Sequence, residues 1–166
     1  MGYTHYWNYK EPKAIDAPNA IKALKEMKKM LLHLPEHCTT AGACYEDQPI
    51  VIKDGLGKGS PVLAVPEILF NGDASDNLDH ETFAFEFGKA IDFDFCKTAR
   101  KPYDFFVCVC LISLANNLDG FEFSSDGDFE DWKPALDFYN EMFGDNISDN
   151  LKKQFLTNFE KDLVSK

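Results

Sequence analysis

The sequence predicts an α+β fold: a mainly antiparallel sheet with about four helices packed on it, in a single domain spanning residues 1–166. The order of elements points there first, because strand, helix, several strands, helix, strand and two helices cluster the strands and join them by hairpins. Long segments carry apolar residues at helical spacing, whereas short aromatic and β-branched runs alternate at period two. The composition then supplies a core. The 166 residues are 45% hydrophobic and include 15 Phe, 6 Tyr and 2 Trp, enough to bury a sizeable interior without disulfides or a structural metal.

Residues 2–9 read as a strand, with Tyr3, His5, Trp7 and Tyr9 on one face and Thr4, Tyr6 and Asn8 on the other. Asp16 is expected to cap the first helix, with Pro18 tolerated in its first turn. Ile21, Leu24, Met27, Leu31 and Leu34 make its apolar stripe, Lys22, Lys25, Lys28 and Lys29 face outward, and Pro35 ends it. Residues 36–49 read as a loop. Ile50-Val51-Ile52 and Val62-Leu63-Ala64-Val65 read as strands around a glycine-bearing hairpin tip, residues 53–61. That tip is not a phosphate loop, which needs Gly-Lys-Ser/Thr opening a helix, whereas here Pro61 and another strand follow.

Glu67 to Gly72 and Thr82 to Phe87 predict a further strand pair across an acidic connection, with Phe83, Phe85 and Phe87 in the core. Phe93 to Cys96 adds a short strand. Residues 102–118 predict a buried helix that starts at Pro102 and stops in Asn116-Asn117-Leu118-Asp119-Gly120, although the Val-Cys-Val-Cys centre keeps a strand reading open. Phe121-Glu122-Phe123 follows as a strand. Ser125 or Asp126 is expected to open a helix carrying Trp132, Leu136, Tyr139 and Phe143, with Gly144 closing it. The last helix, about 147–163, repeats the spacing with Ile147, Leu151, Phe155, Phe159 and Leu163.

Charge and cysteines exclude several classes. With 28 acidic and 17 basic residues the net charge is −11, so long-range repulsion disfavours general nucleic-acid binding. No apolar run is long enough to cross a bilayer, and the first residues lack a signal core or a myristoylation pattern, so a cytoplasmic protein is expected. Five cysteines, an odd number, read as reduced thiols. His33, His37, Cys38 and Cys44 raise a zinc site, but Pro35 interrupts the histidine pair and no CxxC half-site is present, so neither metal nor cofactor is expected.

The strongest chemical constellation is Phe95-Cys96-Lys97-Thr98-Ala99-Arg100-Lys101-Pro102-Tyr103-Asp104, which holds the only arginine. Three cations and a hydroxyl precede the N-terminus of the buried helix, where free N–H groups and the dipole favour an anion. Paired surface charges of little consequence are the competing reading. His5 suits acid–base work or a structural role, and Trp7 or Tyr103 suits stacking on a flat ring or the core. Ser124-Ser125-Asp126-Gly127-Asp128 departs from a calcium loop after three residues, so helix capping is the better reading.

Met1-Gly2-Tyr3-Thr4-His5-Tyr6-Trp7, Phe70-Asn71-Gly72 with Glu81-Thr82-Phe83, the Phe95–Asp104 block, and Ser124-Ser125-Asp126-Gly127 with Trp132 resemble a family of uncharacterised phage and bacterial proteins. The resemblance spans most of the chain in separate blocks, the Phe95–Asp104 block being the most specific. It carries no activity. It implies that the site lies on polar and aromatic residues at strand ends and loops.

The expected function is binding of a small anionic, nucleotide-like ligand. Lys97, Arg100 and Lys101 would hold phosphates beside Thr98, Trp7 or Tyr103 a ring, and Asn71, Glu81 and Asp126 hydroxyls, with His5 and Ser125 in the same cleft. In a phage protein, such a pocket would sequester a host immune nucleotide. A phosphodiesterase or glycosidic hydrolase using His5 and Glu81 is the alternative. An acidic protein inhibitor is a further one, and self-association stays open.

Overall fold

The computed structural model describes residues 2–13, 17–37 and 47–163. They form strand β1 (Thr4–Tyr9), helix α1 (Ala17–Leu32), strands β2 (Val62–Leu63), β3 (Glu67–Phe70), β4 (Phe83–Glu86) and β5 (Ile91–Lys97), helix α2 (Asp104–Asn117), strand β6 (Glu122–Ser125), and helices α3 (Phe129–Phe143) and α4 (Asp149–Phe159). The fold is α+β as expected, but the strands divide between two antiparallel three-stranded sheets, ordered β5-β1-β6 and β2-β3-β4. No helix among the described residues is long and apolar enough to cross a membrane.

Helix α2 is the centre of the molecule. Phe105 to Ala115 are all buried, with Asn117 two residues further on. A helix apolar on every side needs cover on every side. Helices α1, α3 and α4 and strand β6 all contact it, and the second sheet reaches it through Phe70, whose ring lies 4.8 Å from Phe106. The strand alternative for the Val-Cys-Val-Cys stretch is thereby excluded.

Helix α1 buries Ala23, Leu24, Glu26, Met27 and Met30, while Ile21 stands 49% exposed. The expected stripe is therefore displaced around the helix, because a glutamate belongs to the buried face. Its Oε1 accepts from Tyr139 Oη (2.6 Å), Asn117 Nδ2 (2.7 Å) and Ser113 Oγ (2.9 Å). One carboxylate thus joins α1, α2 and α3. Three charge-assisted bonds offset its removal from water.

Other boundaries shift for local reasons. Helix α1 ends at Leu32, before Pro35 can restrict its neighbour. Its expected cap, Asp16, lies outside the described residues, as do Cys38 and Cys44. Residues 50–52 form no strand. Instead Lys53 exchanges two backbone bonds with Asn71 (2.9 and 3.0 Å). The glycine-bearing tip closes on Asp54, whose Oδ1 accepts from Leu56 N and Lys58 N. These backbone donors, Lys58 foremost, hold the Asp54 carboxyl below its usual range. The loop carries its own anion.

Strand β5 runs from Ile91, and α3 begins only at Phe129, where Asp128 and Asp131 form a reciprocal capping box. Ser125 ends β6 instead of opening α3. Ser148 caps α4, which is shorter at both ends than its apolar spacing implies.

The Glu26 junction yields a test. Glu26→Ala leaves three buried donors without their acceptor and is expected to cost about 2–4 kcal/mol. Urea unfolding measures it, with Lys25→Ala on the exposed side as the near-neutral control. A loss below about 1 kcal/mol would mean that the carboxylate does not join the helices.

Candidate functional site

Strand β1 has two faces with different fates. Inward, Tyr3, His5, Trp7 and Tyr9 are all buried. His5 is fully enclosed, its Nδ1 2.8 Å from Ser125 Oγ on β6 and its Nε2 2.7 Å from Asp104 Oδ1 at the start of α2. Tyr3 and Trp132 present edge-on rings to it at 5.0 and 5.2 Å. Thr98 Oγ1 donates to the same Asp104 oxygen, and Cys108 Sγ lies 3.6 Å from His5 Nε2. These residues, from β1, the turn after β5, α2, β6 and α3, form an interior cluster.

Arg100 sits at the rim of that cluster. Ala99 and Arg100 are consecutive left-handed residues, φ 54° and 57°, a conformation that residues with side chains adopt at a cost. The turn lays the guanidinium on the Tyr3 ring, 4.0 Å from its centroid, and its Nη1 donates to Asp131 Oδ1 at 2.8 Å. Gly127 closes the arrangement, since a Cβ there would stand 2.2 Å from the Tyr3 hydroxyl oxygen. Burial disfavours the ionised Asp131 carboxylate, but the Arg100 bond and the Asp128 N–H outweigh it and hold its pKa below the ordinary value. The same bond raises the Arg100 pKa.

The expected anion site at the start of α2 is not formed. The N–H groups of Asp104, Phe105 and Phe106 donate to the carbonyls of Lys101, Pro102 and Tyr103. Lys101 is buried, and its Nζ donates to the carbonyls of Asn77 and Asp79 at 2.9 and 2.7 Å. Arg100 is already neutralised by Asp131. The first turn and two of the three cations are satisfied from within.

The rings expected to stack a ligand are also interior. Trp7 is 2% exposed against Phe83, and Tyr103 is 1% exposed with its hydroxyl donating to the Glu81 carbonyl. Burial holds the Tyr103 phenol protonated, far above its usual range. Asn71 is buried and structural: its Oδ1 accepts from Gly72 N and His80 N, and its Nδ2 donates to the His80 carbonyl. Gly72 beside it leaves no room for a side chain, because a Cβ would meet the Leu78 carbonyl oxygen at 2.1 Å. Glu81 Oε2 accepts from Lys97 N. The single cleft expected to gather His5, Trp7, Asn71, Glu81, Arg100 and Asp126 is thus divided, with Trp7 and Asn71 in the core and Asp126 exposed.

Outward, the same sheet carries residues that the sequence reading passed over. Tyr6 stacks on Phe93 at 6.0 Å, and Phe93 neighbours Phe95 at 5.9 Å. Phe93 and Phe95 are 64% and 46% exposed. The strand register puts Tyr6 opposite Phe95 and Ser124, and Thr4 opposite half-buried Lys97. Asp126 holds the Tyr6 hydroxyl and the Thr4 N–H at one end. At the other end a cavity of about 240 Å³ opens between Tyr6, Asn8, Phe93, Ser124 and Asn158. Asn8 Oδ1 is buried there and finds no hydrogen-bond partner among the described residues. The signal was present in Asp92-Phe93-Asp94-Phe95, whose alternation places rings on one face without saying which face is covered.

The Arg100–Asp131 pair predicts a pH dependence. A carboxylate with a depressed pKa adds stability above its unfolded value near 3.8, and loses that contribution as pH falls through the lower folded value. The gap in urea midpoint between wild type and Asp131→Asn should therefore hold steady from about pH 7 to 5 and narrow below about pH 4. A gap unchanged down to about pH 2 would remove Asp131 as its source.

No family model matches the chain, and no curated protein or solved structure matches it.

Proposed function

We propose that the protein binds a small, flat, anionic ligand of nucleotide type on the open face of the β5-β1-β6 sheet and holds it unchanged. The observation that carries this reading is the aromatic row Tyr6, Phe93 and Phe95, with its two phenylalanines 64% and 46% exposed. Contiguous apolar surface invites aggregation unless something covers it. Rings on adjacent strands offer a stacking platform, each stacked base contributing about 1–3 kcal/mol. Lys97 supplies a cation beside the row, and Asp126 supplies acceptors for ribose hydroxyls or a base amine. This keeps the ligand class and moves the ring-binding role from Trp7 and Tyr103 to the outward face. If the protein is phage-borne, sequestration of a host nucleotide signal is the role that fits.

A second reading has its own observation. Ser125 Oγ, His5 and Asp104 form a hydroxyl–imidazole–carboxylate chain, the connectivity used to activate a nucleophile. Full enclosure of His5 supports the binder instead, because neither ring nitrogen faces solvent to deliver a proton to a leaving group.

Native mass spectrometry of protein isolated from cell extract identifies a co-purified nucleotide, and titration with nucleoside monophosphates and cyclic oligonucleotides measures binding. Phe93→Ala and Phe95→Ala are each expected to weaken binding by about 1–3 kcal/mol, and Lys97→Ala to reduce its salt dependence. Arg100→Ala should matter less. Equal affinity in both phenylalanine variants would refute the platform. Recovery of a cleaved ligand, lost in Ser125→Ala, would favour the hydrolase.

A further inference from the structure

We propose that His5, Asp104 and Cys108 form a binding site for one zinc-class divalent ion, an assignment independent of the ligand face. The three donors lie within 4.8 Å of one another. Cys108 Sγ stands 3.6 Å from His5 Nε2 and 3.7 Å from Asp104 Oδ2, and the His5–Asp104 contact is 2.7 Å. Zinc bonds of about 2.0–2.3 Å in a tetrahedron separate neighbouring donors by about 3.3–3.6 Å. Both sulfur contacts are already near that length. Asp104 meets His5 through Oδ1 and Cys108 through Oδ2, so a metal held by one carboxylate oxygen requires the carboxylate to turn and the 2.7 Å contact to open by about half an ångström or more.

The fold explains the convergence. Asp104 and Cys108 are four residues apart on α2 and therefore share one face of its first turn. His5 approaches from β1. Its Nδ1 is held by Ser125 Oγ, as the second ring nitrogen of a metal-bound histidine usually is by a polar neighbour, and Thr98 steadies Asp104. Metal binding through Nε2 leaves His5 neutral with its one N–H on Nδ1 facing Ser125, and sends the Cys108 thiol proton to solvent. A neutral imidazole, a carboxylate and a thiolate then balance a divalent charge in a largely buried place. The mixed N, O and S set suits zinc and disfavours magnesium or calcium, which take oxygen ligands. Asp104, 14% exposed, gives the site its opening, and a water completes four-coordination there.

The sequence reading expected no metal because donors at positions 5, 104 and 108 have no local spacing signature. The Cys108 thiol, one turn along α2 from Asp104, adds a third donor type beside the hydrogen-bonded pair.

The test uses reduced, EDTA-treated protein titrated with Co²⁺ and then Zn²⁺, followed by absorption. One equivalent of Co²⁺ should give tetrahedral visible bands and a thiolate-to-metal band in the near ultraviolet, both removed by Zn²⁺. Cys108→Ser should abolish the thiolate band and weaken binding about tenfold or more while far-ultraviolet circular dichroism is unchanged. Asp104→Asn should weaken binding and keep the band, which covers the case in which Cys108→Ser fails to fold. The Cys38→Ser/Cys44→Ser double variant should retain it. No band in the wild type, an unchanged band in Cys108→Ser or in the folded Asp104→Asn at wild-type affinity, or a band lost in the double variant would each overturn the assignment.

Discussion

Helix α2 has no side that water can share, and the rest of the molecule is arranged to cover it. Twelve of its fourteen residues are buried, so neither sheet alone is large enough to shield it. One sheet reaches it through Phe70, and the other meets it where His5 bonds Asp104. Three helices close the remainder. The polar groups that α2 carries inward fall where another element supplies a partner: Asp104 meets His5, and Ser113 and Asn117 meet Glu26. Apolar area supplies most of the stabilisation, and these few bonds fix which surfaces meet.

Much of this was legible in the sequence. The alternation of β1, the β3–β4 pair, the buried α2 and the spacing of α3 and α4 all rest on local periodicity, which packing respects. The failures are non-local. Ile50-Val51-Ile52 has strand chemistry, but Asn71 draws the backbone at Lys53 instead. Ile21 has the right spacing for a core position, but Glu26 turns the helix toward α2 and α3. The lone arginine was visible. Its partner, 31 residues further along, was not.

The same limit explains the site. Lys97, Lys101 and Arg100 look alike as a run of cations, yet the fold gives Lys101 to two carbonyls and Arg100 to a carboxylate. Trp7 and Tyr6 are adjacent aromatics on β1. Period two says that they face opposite ways, and only the position of α2 decides which one is interior. Because α2 lies on the Trp7 side, Tyr6, Phe93 and Phe95 are left outside.

That division of β1 into a structural face and a recognition face is the central claim. Its most direct test is side-chain NMR of protein carrying ¹³C-labelled Phe, Tyr and Trp rings, observed while nucleoside monophosphates and cyclic oligonucleotides are added. The account predicts large ring shifts at Tyr6, Phe93 and Phe95, with Trp7, Tyr103 and Trp132 nearly unmoved. Shifts confined to Tyr3 and the rings around Arg100, with Phe93 and Phe95 unchanged, would contradict it.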